Sequence, residues 1–267
     1  MSPGRVPYRF EHFDIRVMLS DLKFSNVSKE FKPLDMTQKV KLSDGREQSL
    51  ATLADGKPLI LITGSLSCPM TVSVLPFVKH LKENFEDKFN FVLVYVREAH
   101  PGEHYQQASS WEEKQQHACQ FLSGYDLDIA TIVDSLEGEL HKQLDTKPNS
   151  LHIIAQDGAV LFQSLWTGDF KAVEQGVKSV AVGQVPSKRT SERMFSPFIR
   201  GAGYIHQTLK QAGKRAAREL MFGAPAIWLL SRTASALKIV KTENRGLLAM
   251  GLWFVIISSI LAVVISL

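Results

Sequence analysis

Cys68 and Pro69 lie where an apolar run, Leu59 to Thr63, gives way to Gly64-Ser65-Leu66-Ser67 and then to an amphipathic stretch. A thiol so placed reads as the mouth of a helix. Free backbone N–H groups and the helix dipole there favour the thiolate, the form in which cysteine reacts. Ser65 and Ser67 put hydroxyls beside it. Pro69 suits the first helical position, because its missing N–H would have no helical partner anyway. A second apolar run, Phe89 to Val96, ends in Arg97-Glu98-Ala99-His100-Pro101. In open parallel sheets, sites form outside the carboxyl ends of the strands. Cys68, Glu98 and His100 are therefore expected on one rim, where a histidine can hold a proton near neutral pH and pass it on. The plainer alternative makes Cys68 a small buried hydrophobe and His100 a solvated loop residue.

The second cysteine, Cys119, falls mid-helix and reads as a structural thiol on an inward face, the alternative being a resolving thiol that approaches Cys68. Residue 65, three before Cys68, is serine, and residue 71, three after, is threonine. A C-x-x-C dithiol centre is thus absent. The histidines at 100, 104 and 117 do not fall in a metal-ligand spacing, and no bound cofactor is expected.

The elements that would position these residues follow from periodicity. A hairpin with Asp44-Gly45 at its tip leads to a strand at 59–63. A helix follows from about 69 to 87, with Pro76 inside it predicting a kink. The run 89–96 is nearly continuously apolar, as a central strand covered on both faces should be. A polar helix over 111–122, a strand over 127–133 and a short helix over 136–144 come next. After Pro148, the segments 151–155 and 159–162 flank a Gln156-Asp157-Gly158 turn, and a helix over 170–180 closes the unit. This alternation predicts an α/β fold: a mostly parallel sheet with helices on both faces and an antiparallel edge, the layout of the thioredoxin fold with an inserted helix and strand.

Charge divides the chain further. Residues 1–186 carry 19 Lys+Arg against 24 Asp+Glu, residues 187–245 carry 12 against 3, and the last 22 carry none. Four segments are expected: an N-terminal extension (1–37), the thioredoxin-like domain (38–183), a basic linker with one or two amphipathic helices (184–245) and a transmembrane helix (246–267). At 1.5 Å per residue the last is long enough for a hydrocarbon core of about 30 Å. Arg232, Lys238, Lys241 and Arg245 precede it, which predicts a C-terminal anchor with the domain on the cytoplasmic side. The basic linker would lie on anionic lipid, so nucleic acid is not needed to explain its charge. The start of the chain has no secretory-type apolar segment, and two cysteines fit a reducing compartment.

Gly64-Ser-Leu-Ser-Cys68-Pro69, followed by Val94-Tyr-Val-Arg-Glu98-Ala99-His100-Pro101, resembles the iodothyronine deiodinases and their bacterial relatives. Leu151 to Gly158 looks like that family's late hairpin, and Pro148 like the proline before it. The resemblance covers roughly 40–182. It implies a thioredoxin-like domain in which Cys68 matches the catalytic position, selenocysteine in the animal enzymes, while Glu98 and His100 match the substrate-pocket acid and histidine. Three features depart from the family. The family's additional cysteine falls on Leu66, no second catalytic histidine is matched within 104–117, and the membrane segment is C-terminal rather than N-terminal.

Three functions compete. The first is a deiodinase-like thiol oxidoreductase in which Cys68 attacks a polarisable atom of a small molecule and an external thiol restores it. The second is a peroxide-reducing thiol enzyme passing through a sulfenic acid. Its P-x-x-x-T-x-x-C pattern is half met, with Ser65 standing for the threonine but Leu61 at the proline position. The third is a membrane-tethered binding module without catalysis. A homodimer is left open.

Overall fold

A computed structural model describes residues 7–24 and 32–266. Residues 1–6 and 25–31 of the expected extension, and Leu267 of the expected span, lie outside the described residues. The first helix is α1 (Ile15–Ser20), capped by Asp14, whose side chain accepts from the backbone N–H groups of Arg16 and Val17. The expected hairpin pairs β1 (Lys39–Lys41) with β2 (Glu47–Ser49). At its tip Gly45 takes φ +87°, a left-handed conformation that glycine adopts without steric cost. Helix α2 (Leu50–Ala54) leads to β3 (Leu59–Gly64), every residue of which is buried.

Helix α3 (Pro69–Phe85) begins at an extended Cys68 with Pro69 in its first turn. There follow β4 (Asn90–Tyr95), α4 (Trp111–Gly124), β5 (Ala130–Val133), α5 (Glu139–Gln143), β6 (Leu151–Ile154), β7 (Val160–Ser164) and α6 (Phe170–Ala181). A two-residue strand not apparent from periodicity, β8 (Thr190–Ser191), completes a sheet ordered β5-β4-β3-β6-β7-β8. Strands β3, β4 and β5 are parallel, β6 is antiparallel to both β3 and β7, and β8 is parallel to β7.

Two cores explain the continuous apolar runs. On one face Val74, Val78 and Leu81 of α3, Phe121 of α4 and Val177 of α6 pack on Ile60, Ile62, Phe91 and Leu93. On the other, Leu34, Val40, Leu50, Leu53, Leu140 and Leu144 pack on Leu59, Leu61, Val92 and Val94. Burying both faces takes apolar residues at successive positions, so β3 and β4 do not alternate.

The basic segment forms three helices, α7 (Phe195–Ala212), α8 (Lys214–Gly223) and α9 (Pro225–Ala236). Helix α7 packs directly on α3 and on the last helix, α10 (Thr242–Ser266). Phe10, Phe13 and Val17 of the extension join Ile205, Leu209 and Leu220 in a further apolar cluster. Among the described residues, α10 is the helix long and apolar enough to cross a membrane, and little of it is buried.

Candidate active site at the mouth of helix α3

The carboxyl ends of β3 and β4 deliver two loops that are tied to each other by hydroxyls. Ser65 Oγ accepts from the Ala99 N–H at 3.3 Å, and Ser67 Oγ accepts from the His100 N–H at 3.2 Å. Ser67 also donates its hydroxyl proton to Glu98 Oε2 at 2.5 Å, and its backbone N–H reaches the same oxygen at 3.0 Å. Glu98 Oε1 takes the Tyr95 hydroxyl at 2.5 Å. The Tyr95 oxygen in turn accepts from the Leu66 N–H at 3.3 Å. Glu98 is 2 % exposed, so this ring of donors replaces the water that a carboxylate would otherwise require.

The network has one member that spacing did not reveal. His117, on the inward face of α4, brings Nδ1 to 3.6 Å from Glu98 Oε1. That nitrogen has no hydrogen-bond partner among the described residues. Beside it lies a cavity of about 10 Å³ lined by Arg97, Glu98, Gln107, Lys114 and His117, among others. This volume suits one water molecule. The signal in the sequence was the burial period of α4, with Lys114, His117, Ala118 and Phe121 turned inward. The same period turns Cys119 outward. It is exposed, with Sγ 3.6 Å from the Ser43 carbonyl, so the expected inward thiol is corrected: neighbouring positions occupy that face.

Cys68 is 2 % exposed. Burial pushes its thiol up to about 11, against smaller downward effects of the Thr71 hydroxyl and the Thr71 and Met70 N–H groups. The helix mouth thus supplies the expected donors, yet desolvation of the anion outweighs them. Thr71 Oγ1 also reaches the Pro148 carbonyl, at 3.5 Å, which links Pro148 to the thiol through one side chain. The cover over Cys68 is apolar. Phe24, Met70, Leu165 and Trp166 cluster with the thiol, and Ala99, Met194 and Phe198 pack around them.

His100 is covered by the Phe13 ring, with centroids 4.3 Å apart. Its Nδ1 is buried without a partner among the described residues, and burial lowers its pKa to about 4. The N-terminal extension is strapped over this rim. Arg97 donates to the Tyr8 carbonyl at 2.6 Å, and Lys147 Nζ donates to the Ser20 carbonyl at 2.8 Å. Tyr8 OH and His141 Nδ1 are 3.0 Å apart, while His141 Nε2 lies 2.8 Å from the Lys147 carbonyl. A carbonyl can only accept, so Nε2 carries the proton and neutral Nδ1 accepts from Tyr8.

Buried imidazoles make the fold acid-sensitive. His152, bonded to Ser150 Oγ at 3.0 Å, is lowered by desolvation to about 3. The unfolded chain takes up that proton near pH 6.5 and the folded chain only near 3. Its contribution is therefore complete above about pH 6.5 and is lost as pH falls through that window. Relative to the wild type, His152→Gln should gain stability by about 1.4 kcal/mol per pH unit between roughly 6.5 and 4. Urea unfolding at several pH values reads the difference; a constant offset would place a charged imidazole in the folded core.

A mixed sheet in this order, with a single cysteine at the mouth of the helix after its first central strand, defines a thioredoxin-fold protein with a one-thiol site. The chain belongs to the iodothyronine deiodinase family, whose model matches residues 12–170. Type II iodothyronine deiodinase of Fundulus heteroclitus is 38% identical over 65 residues, 24% of this chain and 22% of that relative. The type II enzyme of Neoceratodus forsteri is 38% identical over 63 residues, 22% and 23% of the two chains. The matched stretches thus span less than a quarter of those relatives.

Solved structures with a similar course include an uncharacterized conserved protein from Geobacillus kaustophilus, with TM-score 0.47 and 13% identity over 61% of this chain and 89% of that one. A thioredoxin-like protein from Aeropyrum pernix has TM-score 0.44 and 17% identity over 54% and 89%. Helices α7 to α10 lie beyond the family match.

Proposed function

We propose that the protein is a membrane-anchored thiol oxidoreductase that reductively removes halogen from a small organic molecule, with Cys68 as nucleophile and the domain on the cytoplasmic side of α10. The observation that carries the reading is the joining of the Cys68 loop to the Glu98–His100 loop through Ser65 and Ser67, in a chain of the deiodinase family. In the structure the thiol and the imidazole are both covered, and burial favours the neutral form of each.

Once it is uncovered, the Cys68 sulfur attacks the iodine of a carbon–iodine bond. The S–I bond forms, the C–I bond breaks and its electron pair stays on carbon. The proton leaving the thiol passes through His100 to that carbon. An external thiol then displaces iodide to give a mixed disulfide and releases a proton. A second external thiol frees Cys68 as thiol. Two thiols become one disulfide for each C–I bond reduced. Glu98, held by Ser67 and Tyr95 with His117 beside it, positions the His100 loop.

The test is iodide release from iodotyrosines and iodothyronines by the full-length chain with a dithiol. Release should disappear in Cys68→Ala and fall about 100-fold in His100→Ala, the lower range of general-acid contributions. A chain that releases no iodide, or whose release survives Cys68→Ala, would sink the proposal. Trapping of a Cys68 sulfenic acid by micromolar peroxide in its place would favour a peroxidase.

A further inference from the structure

Helix α7 stands between the thiol and the apolar helix α10, and it meets them on adjacent faces. On one face Met194, at its N-cap, and Phe198 pack around the Cys68 cluster. A turn later Gly201 lies so close to Met70 Sδ that a Cβ there would push the methionine side chain aside. On the other face Gly246 of α10 abuts the Ile199 carbonyl, and Gly203 abuts the Thr242 carbonyl. Residue 203 meets 242 while 199 meets 246, so the two helices run antiparallel. Helix α10 therefore departs toward the N-terminus of α7, the end that covers Cys68.

The height of that departure can be fixed. Ala249 is fully buried and Trp253 still bonds Thr233 Oγ1 at 2.9 Å, whereas residues 254–265 are exposed throughout. One helical turn beyond Gly246, at ~1.5 Å per residue, brings α10 level with Phe195. Phe195 is 71 % exposed. The first exposed apolar side chains of α10 come earlier, at Leu247, Leu248 and Leu252, so an apolar edge that starts with them lies beside the N-terminal turns of α7, residues 195–199, that roof the thiol. The roof itself is apolar: Phe24, Met194 and Phe198, with Trp166 beneath in edge contact with Phe198 at 5.3 Å. Trp166 is 3 % exposed, and its indole N–H has no partner among the described residues. A buried donor without an acceptor is uncommon and costly.

We infer that the substrate of Cys68 is an apolar, bilayer-dissolved organic molecule carrying one hydrogen-bond acceptor, and that it enters sideways from the membrane by parting the Phe24–Met194–Phe198 seam. This rests on the membrane-anchored thiol reading above and adds the route and the class of molecule. Entry from the lipid side costs the seam little, because its side chains exchange one apolar neighbour for another. The acceptor takes the Trp166 N–H.

The test uses the full-length chain in phosphatidylcholine–phosphatidylglycerol vesicles, with flotation to establish insertion. A long-chain N-alkyl maleimide dissolved in the bilayer is compared with a sulfonated maleimide in water. Labelling at Cys68 and at exposed Cys119 is read by mass spectrometry. The Cys68-to-Cys119 ratio should be at least ten-fold higher with the lipid-dissolved reagent. Phe198→Ala should raise Cys68 labelling by that reagent several-fold and leave Cys119 unchanged. A chain that floats but labels Cys68 no better from lipid than from water, or not at all, overturns the entry route and leaves the anchor standing. A chain that does not float removes the anchor and the inference with it.

Discussion

Glu98→Ala is expected to destabilise the domain by about 3–5 kcal/mol, the range found when one partner of a buried charged network is removed. Three donors converge on the Glu98 carboxylate: the Ser67 N–H, the Ser67 hydroxyl and the Tyr95 hydroxyl. Alanine leaves the two side-chain hydroxyls to find other acceptors and leaves the Ser67 N–H with none. Each buried orphan costs about 1–3 kcal/mol. At about 2–4 °C per kcal/mol for a chain of this size, melting should fall by roughly 10 °C.

Glu98→Gln separates geometry from charge. Its carbonyl still accepts from Ser67, and the Tyr95 hydroxyl can turn to accept from the new amide N–H. It should cost less than half as much. Calorimetry or urea unfolding of the two variants checks this. Equal small losses in both would mean that water, not protein, satisfies these donors.

Cys68 in the folded chain should be alkylated by a charged, water-soluble reagent at least 100-fold more slowly at pH 7.5 than in denaturant. A thiol held near 11 carries a few hundred times less thiolate at this pH than a free cysteine near 8.5. Burial blocks approach as well. The rate should keep climbing with pH beyond 9, where an unfolded thiol already levels off. Cys119, exposed on α4, supplies an internal reference in every sample. A Cys68 faster than the free thiol would mean that the helix mouth wins over burial and that the site stands open to water.

The two results bear on one question, whether the site is built to be closed at rest. The carboxylate network belongs to the sheet and its loops and holds His100 and Ser67 in register. The cover belongs to elements outside the sheet: Phe13 and Phe24 from the extension, Met194 and Phe198 from the α7 end. A stable inner site under a separable cover is an arrangement in which water admitted beneath the cover raises thiolate content and protonates His100 together, because desolvation disfavours both charged forms.

Much of the inner site was legible from local pattern. Strand, small-residue loop and Pro69 place Cys68 at a helix mouth, and a second strand ending in Glu98-Ala99-His100 must open on the same rim once the two strands are parallel. Those conclusions need only periodicity, the stereochemistry of proline and the rule that parallel neighbours share their carboxyl ends. The apolar stretch of α10 is likewise a matter of composition and length.

What the tertiary structure decided is everything that depends on which surfaces meet. His117 joins Glu98 because α4 docks with that face inward, and the same rotation exposes Cys119. The pKa of Cys68 rises because Phe24, Met194 and Phe198, distant in sequence, exclude water from it. The basic residues of α7 to α9 announced a charged surface, but Gly201 and Gly203 let α7 press against both α3 and α10. A sequence records helix-mouth donors one residue at a time. Desolvation is a property of the whole enclosure, and at Cys68 it is the larger of the two effects.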